Sequence, residues 1–313
     1  MHRISVFVLA VAGLALQPVF AATTTPDGKG FASPDAAAQA LVDAAKANDP
    51  AAILEILGPS AKNVVTTQDA VADRKIRQDF ATRAAQKMRV AAVPGKPTMK
   101  KLLVGKDEWP LPFPIVEVNG RWYFDAVKGK DEILSRRIGR NENDAIDISW
   151  GFVEAEHNYA ALNRTENNVP IYAQKIISTP GKHDGLYWPA AEGEEQSPLG
   201  DIAARAIAEG YTNKREPFHG YYFKVLTGQG THVPGGEMSY VDNGQMTKGF
   251  ALIAWPADYG STGIMTFLVN KSGIVYQKDL GRKTAEIASA CTAYDPDQTW
   301  TPVHETSRTV ASR

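Results

Sequence analysis

The sequence predicts an α+β protein in two parts, each with helices first and an antiparallel sheet after them. Three observations carry that expectation. Within residues 31–91, apolar positions recur three and four apart and are broken into helices by capping residues. Residues 99–125 change to a strand-like period, punctuated by the Asn119-Gly120 hairpin signal. A long helical stretch after residue 130 then leads to β-rich runs between residues 221 and 278.

Residues 1–21 read as a cleavable export signal. Arg3 supplies the positive end, residues 4–16 are apolar apart from Ser5 and Gly13, and Val19-Phe20-Ala21 places a small residue at the cleavage point. The apolar run falls short of the about 20 residues a spanning helix needs. No cysteine follows it for lipid attachment, and no later stretch reads as a membrane helix. The expected compartment is the periplasm, with full secretion as the alternative and no stable membrane insertion after cleavage.

The first part, residues 31–138, opens at Ser33-Pro34-Asp35, an N-cap followed by proline in the first helical position. Asn48-Asp49-Pro50 ends that helix and caps a second, over residues 51–57. A third is expected over 70–91, before the break at Pro94-Gly95-Lys96-Pro97. Strands follow at 99–104, 115–118 and 121–125. Trp109-Pro110-Leu111-Pro112-Phe113-Pro114 is confined to an edge or rim, because proline cannot donate to a ladder.

The second part, residues 139–300, begins within a helical region over 130–162 that Gly139 is expected to interrupt. Short helices are expected at 169–177 and 199–209, strands at 221–227, 249–255, 263–270 and 273–278, and a closing helix at 284–294. Residues 301–313 read as a polar tail.

Composition excludes several classes. The chain carries 34 basic and 35 acidic residues, and removing residues 1–21 takes away Arg3 alone, leaving −2. A nucleic-acid partner would need a concentrated basic face. With Cys291 alone, no intramolecular disulfide can form; its setting suits a small buried side chain better than a nucleophile.

Four stretches carry a family resemblance. Gly181-Lys182-His183-Asp184-Gly185-Leu186-Tyr187-Trp188-Pro189, Phe218-His219-Gly220-Tyr221-Tyr222-Phe223 and Gly249-Phe250-Ala251-Leu252-Ile253-Ala254-Trp255-Pro256, with Arg136-Arg137-Ile138-Gly139-Arg140-Asn141-Glu142, resemble the bacterial DUF2950 family over about residues 31–300. The resemblance implies no activity and no catalytic residues. At the level of fold alone, the first part is similar to an NTF2-like domain, a cone whose mouth often holds a small ligand. The second is similar to the globular head of a pilin, with its helix in mid-chain.

Candidate chemistry centres on the aromatic loop at 182–188. His183 beside Asp184, converging with His219, would make a hydrolytic or metal-assisted site, with Glu154, Glu156 or His157 as further members. No zinc spacing is present, and no metal or other cofactor is expected. Ser261 lacks the surroundings of a nucleophile elbow, and Gly228-Gln229-Gly230 suits a hairpin loop. Tyr187, Trp188, Tyr221, Tyr222 and Trp255 could bind a peptide or glycan by stacking. The favoured function is a non-catalytic binding or assembly module of the cell envelope, its partner a protein, peptide or glycan; the alternative is an envelope hydrolase built on His183, Asp184 and His219.

Overall fold

The computed structural model describes residues 26–191, 193–211 and 216–303, so the expected export signal and residues 304–313 lie outside the described residues. The fold is α+β, with its strands in separate antiparallel sheets.

α1 (Pro34–Lys46) begins where the Ser33 hydroxyl accepts from the Ala36 N–H. Asp49 caps α2 (Pro50–Leu57) in the same way, accepting from Ala51 and Ala52. A short turn, α3 (Lys62–Val65), leads to α4 (Ala70–Gln86), capped by Asp69. Here the expected helix over 70–91 is corrected. Val90 and Val93 belong to strand β1 (Met88–Val93), which Pro94-Gly95 folds back onto β2 (Lys96–Val104), with Gly95 at φ 72°.

β3 (Trp109–Pro110) adds to β2 as the proline-rich edge segment. β4 (Ile115–Val118) and β5 (Arg121–Phe124) complete the first sheet in the order β1-β2-β4-β5. Asn119 and Gly120 both adopt positive φ, 54° and 76°, as their hairpin turn requires. Leu41, Ile53 and Leu57 from the helices pack with Leu102, Ile115 and Phe124 from the sheet into one hydrophobic cluster.

α5 (Ala126–Leu162) follows, 37 residues long and so about 55 Å at the α-helical rise. It passes through Gly139 unbroken, which corrects the expected interruption. An interior glycine costs about 1 kcal/mol, and anchors on either side hold the helix. Arg137 donates to the Asn63 and Val64 carbonyls and Asn141 to the Thr262 carbonyl, while the Glu142 carboxylate accepts from the Ile264 and Met265 N–H groups.

Residues 169–177, expected as a helix, form an irregular strap. Its backbone bonds go elsewhere: Tyr172 donates to the Met246 carbonyl and Ala173 to the Glu156 carboxyl Oε2, and Ile177 bridges to Tyr187. α6 (Gly200–Glu209) ends at left-handed Gly210, φ 100°.

The second large sheet takes β6 (Tyr221–Leu226), β11 (Ala251–Pro256), β12 (Met265–Asn270), β13 (Tyr276–Asp279) and β14 (Thr301–Pro302), in the order β14-β13-β12-β11-β6. Two small ribbons lie between β6 and β11: β7 (Gly228–Gln229) with β8 (Met238–Ser239), and β9 (Val241–Asp242) with β10 (Gln245–Met246). α7 (Thr284–Ala290) stops before Cys291, shorter than expected. The start of the expected tail is ordered, since Thr301 and Pro302 pair with Gln277 and Tyr276. Phe152, Tyr159, Leu186, Tyr221, Phe250 and Phe267 are among the members of a second hydrophobic cluster, formed by α5, the strap and this sheet. No described helix is long and apolar enough to cross a membrane.

Candidate functional site

The loop at 178–188 is held by its own polar groups. The Asp184 carboxylate accepts from Lys175 Nζ and the Thr179 N–H, each at 2.8 Å, and from the Thr179 hydroxyl at 2.9 Å. Lys175 first, then the Thr179 N–H, hold this carboxyl well below the usual carboxylate range. His183 faces elsewhere, stacking on Trp188 with ring centroids 4.1 Å apart, its Nδ1 3.7 Å from Glu195 Oε2. His183 and Asp184 therefore form no dyad.

His219 sits in a tight turn, at φ 50° with Gly220 at φ 77°. A Cβ on Gly220 would lie 2.5 Å from Asn141 Nδ2, so the turn depends on glycine. The turn drives the ring between two helices. Nδ1 lies 2.8 Å from Asp144 Oδ2 on α5, and Nε2 lies 2.6 Å from Glu209 Oε2 on α6. Two carboxyl groups flanking one ring favour its doubly protonated form, in which both nitrogens donate. Burial pushes its pKa down, but the two carboxylates outweigh it and the net direction is up. In that form the ring has no lone pair for a base or a metal ligand.

The two histidines are not brought together. The His183 carbonyl accepts from the Tyr159 hydroxyl and the His219 ring binds Asp144. Those two anchors are 15 residues apart on α5, about 22 Å along its axis. Glu156 is fully buried, whereas Glu154 and His157 are exposed, the His157 ring edge-on to Phe250. Among the described residues, no group of three or more His, Cys, Asp or Glu side chains is placed to hold a metal ion.

The five aromatic candidates do not share a groove. Tyr221 is fully buried with its hydroxyl on the Met265 carbonyl, and Trp188 is buried with Nε1 on the Glu195 carbonyl. Tyr187 pairs through its backbone with Ile176 and Ser178. Tyr222 and Trp255 pack on each other, with the Tyr222 hydroxyl donating to Gln68 Oε1.

A cavity lies instead in the N-terminal half. On α4, Asp73, Ile76, Arg77, Phe80 and Arg83 fall three and four apart, as do Ile133, Arg136, Arg137 and Arg140 on α5, which places each set on one helical face. These faces line a cavity of about 410 Å³, floored by Leu41, Ile53, Leu57, Leu111 and Phe113. The volume lies within the range of about 300–1,000 Å³ typical of small-molecule sites. A smaller recess of about 190 Å³ adjoins it, sharing Asp73, Ile76, Asp79, Arg137 and Arg140, and His219 reaches that recess with Asp69, Asp144, Glu209 and Tyr211. Of the cavity's lining residues only Trp109 belongs to the aromatic residues that sequence singles out as possible ligand contacts. The signal that could find the rest is arginine recurring at apolar-face spacing on two helices.

Fold and cavity together define an α+β protein whose N-terminal half encloses an arginine-rimmed apolar cavity. Residues 28–303 match the family described as Protein of unknown function (DUF2950), and the chain belongs to that family. No curated protein and no solved structure matches the chain.

Proposed function

We propose that the protein is an exported binding module whose N-terminal half takes an apolar small molecule into the cavity between α4 and α5. The observation that carries this reading is the cavity itself: about 410 Å³, lined by Leu41, Ile53, Leu57 and Phe113 and by Ile76, which is 39% exposed. Soluble proteins bury large apolar side chains where they can, so an apolar recess of this size is where a ligand would recover hydrophobic free energy. The charged, apolar and small-residue order of residues 1–21 supports export. A small apolar ligand replaces the peptide or glycan expected from sequence, because the aromatic residues that suggested those partners do not line a common surface.

Titration of the purified protein with the neutral fluorophore N-phenylnaphthylamine tests the reading. Saturable binding at one site is expected, and Ile133→Trp, which fills the cavity from α5, should abolish it while leaving the near-ultraviolet circular dichroism in place. Non-saturable binding, or binding unchanged by Ile133→Trp, would sink it. On the same preparation, expressed from the full chain, N-terminal mass analysis should find a start at Ala22; an intact Met1 in the secreted or periplasmic fraction would overturn cleavage.

A further inference from the structure

The cavity carries more positive charge than an apolar ligand needs. Five arginines line it, Arg77, Arg83, Arg136, Arg137 and Arg140, against Asp73 and Asp79. Asp73 is occupied by the Thr67 N–H and hydroxyl, and Asp79 pairs with Lys75 at 3.5 Å. Two of the arginines are also paired, Arg83 with Asp107 at 3.0 Å and Arg136 with Glu132 at 2.5 Å.

The other three are not neutralised in this way. Arg77 donates to the uncharged oxygens of Asn48 and Val65. Arg140 is exposed and makes no hydrogen bond or ion pair among the described residues. Arg137 is 4% exposed and donates to the Asn63 and Val64 carbonyls, but its Nε–H has no acceptor among the described residues. A buried guanidinium N–H without an acceptor leaves its desolvation cost unrecovered, and native proteins hold few such groups. Burial, reinforced by the nearby Arg140 charge and opposed by the Asp73, Asp258 and Asp69 charges, disfavours the Arg137 cation on balance. One anion placed in the cavity beside Arg77 and Arg140 would relieve the repulsion between Arg137 and Arg140.

We infer that the ligand is an amphiphile with an oxyanion head, its head held by Arg77, Arg137 and Arg140 and its chain lying over Leu41, Ile53 and Phe113. The inference rests on the cavity being an apolar binding site. Carboxylate and phosphate share the chemistry required, since each can take two parallel N–H bonds from a planar guanidinium. An alcohol or an ammonium head cannot.

Isothermal titration calorimetry with decanoate, decyl phosphate, decanol and decyltrimethylammonium tests this on the purified protein. At least one of the two anions should bind tenfold or more tightly than decanol, with the tighter of them identifying the head. The cation should bind more weakly than decanol, and added salt should narrow the anion preference. Arg140→Glu, at an exposed and unpaired position, should bring the affinity of both anions down to that of decanol or below it. Decanol binding as tightly as both anions would overturn the oxyanion head yet leave the cavity reading intact. Binding of none of the four compounds would overturn both.

Discussion

Glu156 shows how one residue can set the pH dependence of the whole chain. It is fully buried on α5, with Oε2 accepting from the Ala173 N–H at 2.9 Å and Oε1 without a partner among the described residues. Burial, only partly offset by that N–H, pushes its pKa up to about 8 from the ordinary 4.5. Between those values the unfolded chain ionises and the folded one stays protonated. The stability this group contributes is therefore complete below about pH 4.5 and is lost as pH rises towards 8. Each pH unit between the two values corresponds to about 1.4 kcal/mol, so the change amounts to several kcal/mol. Glu156→Gln keeps an acceptor for Ala173 and cannot ionise. Thermal unfolding should find it more stable than wild type at pH 8 and close to wild type at pH 4; parallel curves across that range would refute the assignment. Composition gives no hint of this behaviour, because burial of one glutamate depends on how the strap crosses α5. The pairing of His219 with Asp144 and Glu209 is equally hidden, since those side chains come from segments 75 and 10 residues away.

At the scale of elements, local chemistry explains what can be read from sequence and what cannot. Ser33-Pro34, Asn119-Gly120 and Gly210 act within a few residues, so their caps and turns are visible in the sequence. β1 is not, because its alanines extend the pattern of α4 and only pairing with β2 decides its conformation. The strap at 169–177 eludes the sequence for the same reason, its backbone partners being Met246, Glu156 and Tyr187. Two glycines make the contrast measurable. Gly139 lies inside the helix with no atom within 4 Å of the point where a Cβ would stand, so Gly139→Ala should stabilise α5, by about 0.5–1 kcal/mol. Gly220 is left-handed at φ 77°, and a Cβ there would meet Asn141 Nδ2 at 2.5 Å. Gly220→Ala should therefore destabilise by about 2–4 kcal/mol through strain and overpacking together. Urea denaturation of the two variants should move the midpoint in opposite directions, and a shared direction would contradict the backbone assignments.

For the molecule as a whole, the two hydrophobic clusters are joined by a polar seam beside α5. Gln68 donates through its backbone and side chain to Asp258, each at 2.7 Å. From one face of α5, Arg137 donates to the Asn63 and Val64 carbonyls of the first half and Asn141 to the Thr262 carbonyl of the second. Asp69 is the centre of this seam. It is 2% exposed and caps α4 through the Ala72 N–H, while also accepting from the Tyr211 hydroxyl at 2.9 Å and the Gly220 N–H at 2.7 Å. Asp69→Ala would leave both of those partners from the second half without their acceptor, at about 1–3 kcal/mol each, and would remove a cap contributing about 1 kcal/mol. Tyr211→Phe removes the crossing hydroxyl, with its bonds to Asp69 and from the His219 N–H, and keeps the cap and the Gly220 bond, so it isolates one part of the seam. Calorimetry should show wild type melting in a single transition. Asp69→Ala should melt lower and in two steps, with the cluster around Leu41 and Phe124 uncoupled from that around Phe152 and Phe250, and Tyr211→Phe should melt lower in one step. A single unshifted transition in Asp69→Ala would mean that α5, continuous through both clusters, couples the halves without the seam.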